Sequence, residues 1–362
     1  MKKKILFLVQ LPPPTHGASL MNKTIIDNKK VNLVFKIDVL PIQLANSMKD
    51  IGDFSIAKVF NAFKSYFKLI KKLIKNKYDL IYFTISPLGF AFYKDLILVI
   101  ILKIFNKKIV YHIHGKGILG KTLKSKFQKL LYKFVFKNTD VIILANILHK
   151  DIENVFYGKP KILPNGIPKK NLNKVNTKKD KITFIYLSNL IISKGILVFV
   201  EALKELSVKS SNFKALIVGN SADVSVNELK TMINKYGLSD IVKVIGPAYG
   251  EDKYKKLTES NVFVLPTFYK NECFPLTIIE AFQSNLAVIS TKNGAISAMV
   301  KENVNGFLVK INDVKSLASK MLYCIENPEL VSKMAYNNGN EYEKKYTEKI
   351  FINNFIEIIN SI

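Results

Sequence analysis

The sequence predicts a doubly wound α/β architecture in two domains. Three observations carry that prediction. Short apolar, β-branched runs alternate with longer helical patterns along all 362 residues. Near-continuous apolar strands of this kind belong to parallel sheets covered on both faces. The length exceeds the ~100–200 residues of a usual domain. A polar stretch rich in Lys, Asn and Thr, residues 167–181, separates two sets of strands and reads as a linker.

The first set of strands is ILFLVQ (5–10), VNLVFKIDV (31–39), LIYFTIS (80–86), KIVYHIH (108–114), DVIILA (140–145) and KILPN (161–165). The second is ITFIYLSN (182–189), ALIVGN (215–220), VKVIGP (242–247), VFVLPT (262–267), LAVIST (286–291) and GFLVK (306–310). The expected domains are residues 1–168 and 169–345. Residues 346–362 form a last helix, expected to pack back on the first domain. Ligands of open α/β sheets sit beyond the carboxyl ends of the strands. The stretches that follow each strand therefore carry the candidate chemistry: 12–19, 114–117, 165–166, 193–195, 219–220, 246–250 and 266–275.

Composition narrows the class. The net charge is +27, and all 55 basic residues are Lys; the chain has no Arg and no Trp. Residues 1–170 hold 31 Lys against 9 acidic residues, and the remainder holds 24 against 19. Codon bias accounts for Lys in place of Arg. It does not account for the asymmetry, which points to an anionic partner surface, nucleic acid or membrane. Two cysteines make no disulfide framework and fit a reducing cytoplasm. The apolar core of the first residues, Ile5–Val9, is shorter than the ~7–15 residues of a signal-peptide core. The longest apolar run, Leu96–Leu102, falls far below the ~20 residues of a spanning helix.

The stretch NECFPLTIIEAFQSN, residues 271–285, carries two glutamates eight positions apart with a proline between them. Pro275 fits the first turn of a helix, where its missing N–H costs nothing. Such a helix start is an anion site. Glu272 lies in the loop just before it. Glu280 lies in the second turn and leans toward the same end. Carboxylates suit vicinal hydroxyls, because each accepts hydrogen bonds with both oxygens. A phosphate flanked by two hydroxyl-rich groups describes a nucleotide sugar. Alternatively, Thr277, Glu280 and Ser284 at i, i+3 and i+7 fit a helix's solvated stripe. Lys194, at a strand-to-helix turn, can reach a phosphate as a point charge. In a lysine-rich chain it equally fits a solvated residue.

The order SKG, LIVGN, VKVIGP, VFVLPTFYKNECFPLTIIEA and NGFLVK resembles the C-terminal domain of the retaining GT-B glycosyltransferases of family 4. The glutamate pair matches that family's E-x7-E motif. The first half resembles it less closely, through LPPPTHGAS, VYHIHG and ILPNGI. The resemblance implies two Rossmann-like domains facing across a cleft. It gives Glu272 to the hydroxyls of the transferred sugar, near its anomeric carbon, and Glu280 to the ribose diol. Lys194 and the backbone amides around Phe274, Pro275, Leu276 and Thr277 would hold the diphosphate. Gly17 would allow a close backbone approach to the phosphates. His114 would approach the sugar, with a core histidine as the alternative; His16 and His112 are weaker candidates. Gly246 would lie where the base packs. The chain departs from the family at Asn189, where an Arg is usual, at Ser188, where a Gly is usual, and at Ala145, where a Ser is usual.

No Asp-x-Asp occurs and no cluster has metal-ligand spacing. The expectation is transfer with no metal and no cofactor, the donor being a nucleotide-diphosphate sugar and the acceptor a lipid-linked glycan. Residues 54–77 and 121–137 are lysine-rich helical patterns interleaved with Phe and Leu, with Lys126, Lys129, Lys133 and Lys137 on one face. They fit either ordinary amphipathic helices or docking on anionic lipid. The expected location is cytoplasmic, peripheral on the inner face of the plasma membrane, in surface polysaccharide assembly. Two other classes stay open: a nonhydrolysing sugar-nucleotide epimerase of similar architecture, and a basic nucleic-acid-binding protein, although no nucleic-acid motif accompanies the charge.

Overall fold

The computed structural model of the protein describes residues 2–42, 56–172 and 181–362. Residues 173–180 of the expected linker, and residues 54–55 of the first lysine-rich pattern, lie outside the described residues. The chain forms two compact units. One comprises Met1–Gly166 with Glu348–Ile362, and the other Ile167–Thr347.

The first unit runs β1 (Lys4–Val9), α1 (Gly17–Asp27), α2 (Lys29–Val34), β2 (Lys36–Pro41), α3 (Ile56–Lys75), β3 (Leu80–Phe83), α4 (Gly89–Ile104), β4 (Ile109–Ile113), α5 (Ile118–Lys124), α6 (Lys126–Phe136), β5 (Asp140–Ile143) and β6 (Lys161–Ile162). Its six strands are all parallel, in the order β2-β1-β3-β4-β5-β6. The second unit runs β7 (Ile182–Leu187), α7 (Ile196–Lys209), β8 (Phe213–Val218), α8 (Val226–Lys235), β9 (Val242–Gly246), α9 (Gly250–Thr258), β10 (Val262–Leu265), α10 (Leu276–Gln283), β11 (Ala287–Thr291), α11 (Ile296–Met299), β12 (Gly306–Val309), α12 (Val314–Glu326) and α13 (Pro328–Glu341). Its strands are also parallel, in the order β12-β11-β10-β7-β8-β9. The last helix, α14 (Glu348–Ser361), belongs to the first unit.

Every predicted strand overlaps an observed one. The reason is burial: β3, β4, β7, β10 and β11 are buried at every residue. Strands covered on both faces must be apolar throughout, so they read as continuous runs. One element is corrected. Residues 31–39 were expected as a single strand, but Val31–Val34 are helical and only Lys36–Pro41 pair in the sheet. Asn28 is the cause, since its side chain accepts the Lys30 N–H at 3.0 Å and caps α2.

Both sheets reverse strand order next to their first strand. In the first unit that switch lies between β1 and β3, and in the second between β7 and β10. The loops that leave those strand ends are the sites an open α/β sheet offers a ligand.

α14 closes the first unit. Phe355 is fully buried, its ring 6.3 Å from Phe7 and 5.5 Å from Tyr82. Lys3 Nζ donates to the Ile359 carbonyl at 2.9 Å, and Asn28 Nδ2 to Glu348 at 3.2 Å. Phe355→Ala is expected to destabilise the first unit by about 3–5 kcal/mol, the cost of a phenylalanine-sized cavity. Chemical denaturation measures it, and a loss below about 1 kcal/mol contradicts this packing.

Candidate active site

The loop between β10 and α10 holds the first glutamate. α10 begins at Leu276, with Pro275 as its N-cap rather than its first helical residue, and no side chain caps it. The loop is pressed between two backbones. A Cβ on Gly195 would stand 2.3 Å from the Pro266 carbonyl oxygen, and a Cβ on Gly294 would stand 2.2 Å from that of Glu272. Both glycines also have positive φ, +85° and +57°, a second reason for glycine there. Asn293 Nδ2 donates to the Tyr269 carbonyl at 2.9 Å and closes the loop from the β11 side.

This clamp sets Glu272 against Lys194. After β7 the chain makes a short 3₁₀ turn, Ile192–Lys194, and Gly195 then opens α7. Lys194 Nζ lies 2.6 Å from Glu272 Oε2 and 4.8 Å from the centre of the Tyr269 ring. Thr267 Oγ1 stands 3.3 Å from the same Glu272 oxygen. The Glu272 side chain is only 7% exposed, so an unpaired carboxylate there would be costly. The pair therefore sits at the strand ends of β7 and β10, the switch point of the second sheet.

Glu280 has its own lysine. Lys253 Nζ, on α9, lies 2.6 Å from Glu280 Oε1. Burial pushes the Glu280 carboxyl above the usual carboxylate range, and Lys253 partly opposes that shift. The solvated-stripe alternative for Thr277, Glu280 and Ser284 does not hold: Ser284 is buried and the Glu280 side chain is 14% exposed.

Asn189 lies at the end of β7. Its Oδ1 accepts from Asn220 Nδ2 at 3.2 Å, and Asn220 Oδ1 accepts from the Tyr249 hydroxyl at 2.7 Å. Three adjacent strand ends, β7, β8 and β9, are thereby linked. Gly246 ends β9 with φ +86°, and its carbonyl accepts the Gly219 N–H at 2.9 Å.

Gly17 and His114 belong to the first unit. Gly17 is the first residue of α1, and a Cβ there would meet nothing within 4 Å. The protein itself does not require glycine at that position. His16 caps α1, its Nδ1 accepting the Ser19 N–H at 3.3 Å. His114 lies against His112, the ring centres 4.0 Å apart and the planes tilted by 47°. Burial, with a smaller contribution from His16, pushes His114 down to about 3, so the ring is neutral at pH 7. Its Nε2 is buried without a hydrogen-bond partner, as is that of His112. His112 Nδ1 shares a 2.6 Å hydrogen bond with the Tyr82 hydroxyl.

The structure thus brings Lys194 to Glu272 and links Asn189 to neighbouring strand ends. It joins Glu280 to Lys253, not to Glu272. Sequence reasoning missed Lys253, Asn220, Tyr249 and Gly294. Asn220 and Tyr249 lay inside strand-end stretches already marked. Gly294 lay in the Asn-Gly turn after β11, which was not marked. Lys253 had no signal, being one lysine among 55.

Residues 168–341 match the family model of glycosyl transferases group 1, a span that fills nearly all of the second unit. The matched residues all lie within the second unit. An uncharacterized glycosyltransferase, MJ1059 of Methanocaldococcus jannaschii, is 28% identical over 339 residues, 80% of this chain and 82% of its own. The amylovoran biosynthesis glycosyltransferase AmsK of Erwinia amylovora is 24% identical over 276 residues, 71% of this chain and 65% of its own. Anabaena Alr3699/HepE, crystallised with UDP, superposes with a TM-score of 0.74 at 19% identity, covering both chains completely. The two-sheet arrangement is that of the GT-B fold.

The raised Glu280 carboxyl has a measurable consequence. In the folded protein this group holds its proton more firmly than in the unfolded chain. That contribution to stability is complete below the ordinary value near 4.5 and is lost as pH rises through the raised value. Wild type is therefore expected to lose thermal stability relative to Glu280→Gln as pH rises from about 4 toward 7. Melting temperatures of both across that range test it; a relative gain by wild type contradicts it.

Proposed function

We propose that the protein transfers a sugar from a nucleotide-diphosphate donor to a glycan acceptor, with retention, in bacterial surface polysaccharide assembly. The observation that carries this reading is the Lys194–Glu272 pair beside the uncapped start of α10, at the sheet's switch point. The diphosphate would lie on the backbone amides around Phe274–Thr277, with the Lys194 ammonium beside it. The ribose diol would sit at Glu280, the base beside Gly246, and the sugar's hydroxyls at Glu272. In the first unit, the unpartnered Nε2 of His114 is the atom proposed to take a sugar hydroxyl, and Gly17 the residue proposed to leave room for phosphate. UDP in the structure of HepE supports a nucleotide donor, and the name of AmsK supports a polysaccharide product. A lipid-linked acceptor fits the basic first half, and so does a peripheral place on the inner face of the plasma membrane.

Leaving-group charge grows in the transition state. A cation and a helix N-terminus aimed at it stabilise that charge without reorganisation. Transfer is accordingly proposed to be metal-independent, with Lys194 and α10 in the role a divalent ion has elsewhere. Asn189 cannot supply the charge of the family's usual Arg, which leaves more of this work to Lys194.

Three outcomes are expected. Glu272→Gln lowers turnover strongly while nucleotide binding survives. Lys194→Ala lowers kcat by roughly 10²–10³-fold, and Lys194→Arg restores only part of it. EDTA leaves transfer intact. Steady-state kinetics with a panel of nucleotide-sugar donors checks all three. A Lys194→Ala loss below about tenfold, or rescue of EDTA-treated enzyme by Mg²⁺ or Mn²⁺, contradicts the assignment.

A further inference from the structure

α4 is built inside out for a helix in water. Its exposed side chains are Phe90, Tyr93, Ile97, Ile100 and Ile104, spaced along one face at helical intervals. Two of its three charged residues turn inward: Lys94 is 4% exposed and Asp95 is fully buried, the two paired at 2.9 Å, while Lys103 in the last turn is half-buried. A soluble helix shows the opposite pattern. Burying that ion pair has a desolvation cost, and it leaves the outer face of α4 from Phe90 to Ile100 without an exposed charge.

The face continues onto both neighbours. On one side, the Tyr66 hydroxyl of α3 donates to the Lys94 carbonyl at 3.2 Å. There α3 exposes Phe63, Phe67 and Ile74 among the exposed Lys64, Lys68, Lys71 and Lys75. On the other side, Gln128 of α6 donates to the Tyr93 hydroxyl. At the far end of the same pair, Lys103 Nζ donates to the Lys137 carbonyl at 2.6 Å and lies 5.3 Å from the Phe134 ring. α6 exposes Phe127, Leu130 and Phe134 beside Lys126. An apolar centre with lysine-studded flanks spans three adjacent helices. Contiguous apolar surface of this kind marks an interaction site.

We propose that the α3–α4–α6 face of the first unit inserts shallowly into an anionic lipid bilayer, with α4 at its centre. Charge complementarity selects this occupant. A second copy of the chain would set lysine against lysine. A nucleic acid would match the lysines but leave the α4 stripe against phosphate and sugar. A bilayer interface offers anionic headgroups to the flanks and acyl chains to the centre. The proposal sharpens the membrane-bound reading above. It replaces a contact of charge alone with one in which apolar side chains enter the lipid. No helix among the described residues is long and apolar enough to cross a membrane, so the contact is one-sided.

Because the chain has no tryptophan, Ile100→Trp makes a single reporter in the full chain. Its emission is expected to shift to the blue with phosphatidylglycerol-containing vesicles and to be quenched by brominated acyl chains. Val208→Trp, at an exposed position of α7 in the second unit, is expected to show neither effect. Part of the binding should survive 1 M salt, where the Debye length falls from about 10 Å at 0.1 M to about 3 Å. The pair Ile97→Asp with Ile100→Asp is expected to lower vesicle partitioning roughly tenfold or more, with the folded circular-dichroism spectrum kept. An unshifted reporter overturns the proposal. So does binding that 1 M salt abolishes and the aspartates leave unchanged, and so does a lipid-free dimer that the aspartates dissociate without any effect on vesicles. The readout needs no donor or acceptor, so failure here leaves the proposed transfer reaction standing.

Discussion

The β10–α10 loop lies so close to two other backbones that neither can carry a side chain. Gly195 faces Pro266, and Gly294 faces Glu272, each with room for a hydrogen but not for a Cβ. The rest of the site follows from that double contact. It holds the loop against the first turn of α7, which brings Lys194 within 2.6 Å of Glu272. It holds the loop against the end of β11, through Asn293. The start of α10 is carried along with them. A carboxylate with a 7% exposed side chain is tolerable only beside its lysine, so the clamp and the charge pair depend on each other.

The two glutamates show how one residue type meets two environments. Glu272 has a lysine from the turn after β7 and a hydroxyl from Thr267. Glu280, held in a helix, sits deep enough for burial to raise its pKa despite Lys253. A largely buried acid kept close to one cation carries a desolvation cost that the pairing offsets only in part. The first unit has a parallel case in the histidine pair, whose buried Nε2 atoms lack partners. Unsatisfied buried polar atoms are uncommon in folded proteins, and each calls for a ligand, a water or a functional reason.

Much of this was legible in the sequence, for physical reasons. Parallel strands buried on both faces are apolar at every position, so β7, β10 and β11 could hardly be missed. Val31–Val34 was misread because its β-branched residues favour a strand, while the cap at Asn28 decides the matter locally. Glu272 and Glu280 stood out because charges are rare inside apolar runs. Lys253 did not stand out, because a lysine one turn into an exposed helix looks the same whether or not a buried carboxylate lies under it. The outward face of α4 was hidden for a related reason. An apolar run records that residues avoid water, not whether protein or lipid covers them.

The central claim is that α10 and its preceding loop form the nucleotide site. Calorimetric titration of UDP, GDP and ADP into the full chain, repeated with Glu280→Ala, tests it most directly. One of the three is expected to bind wild type in a one-to-one complex, and the alanine variant is expected to lose most of that affinity. No binding by any of the three, or equal affinity in wild type and variant, would contradict it.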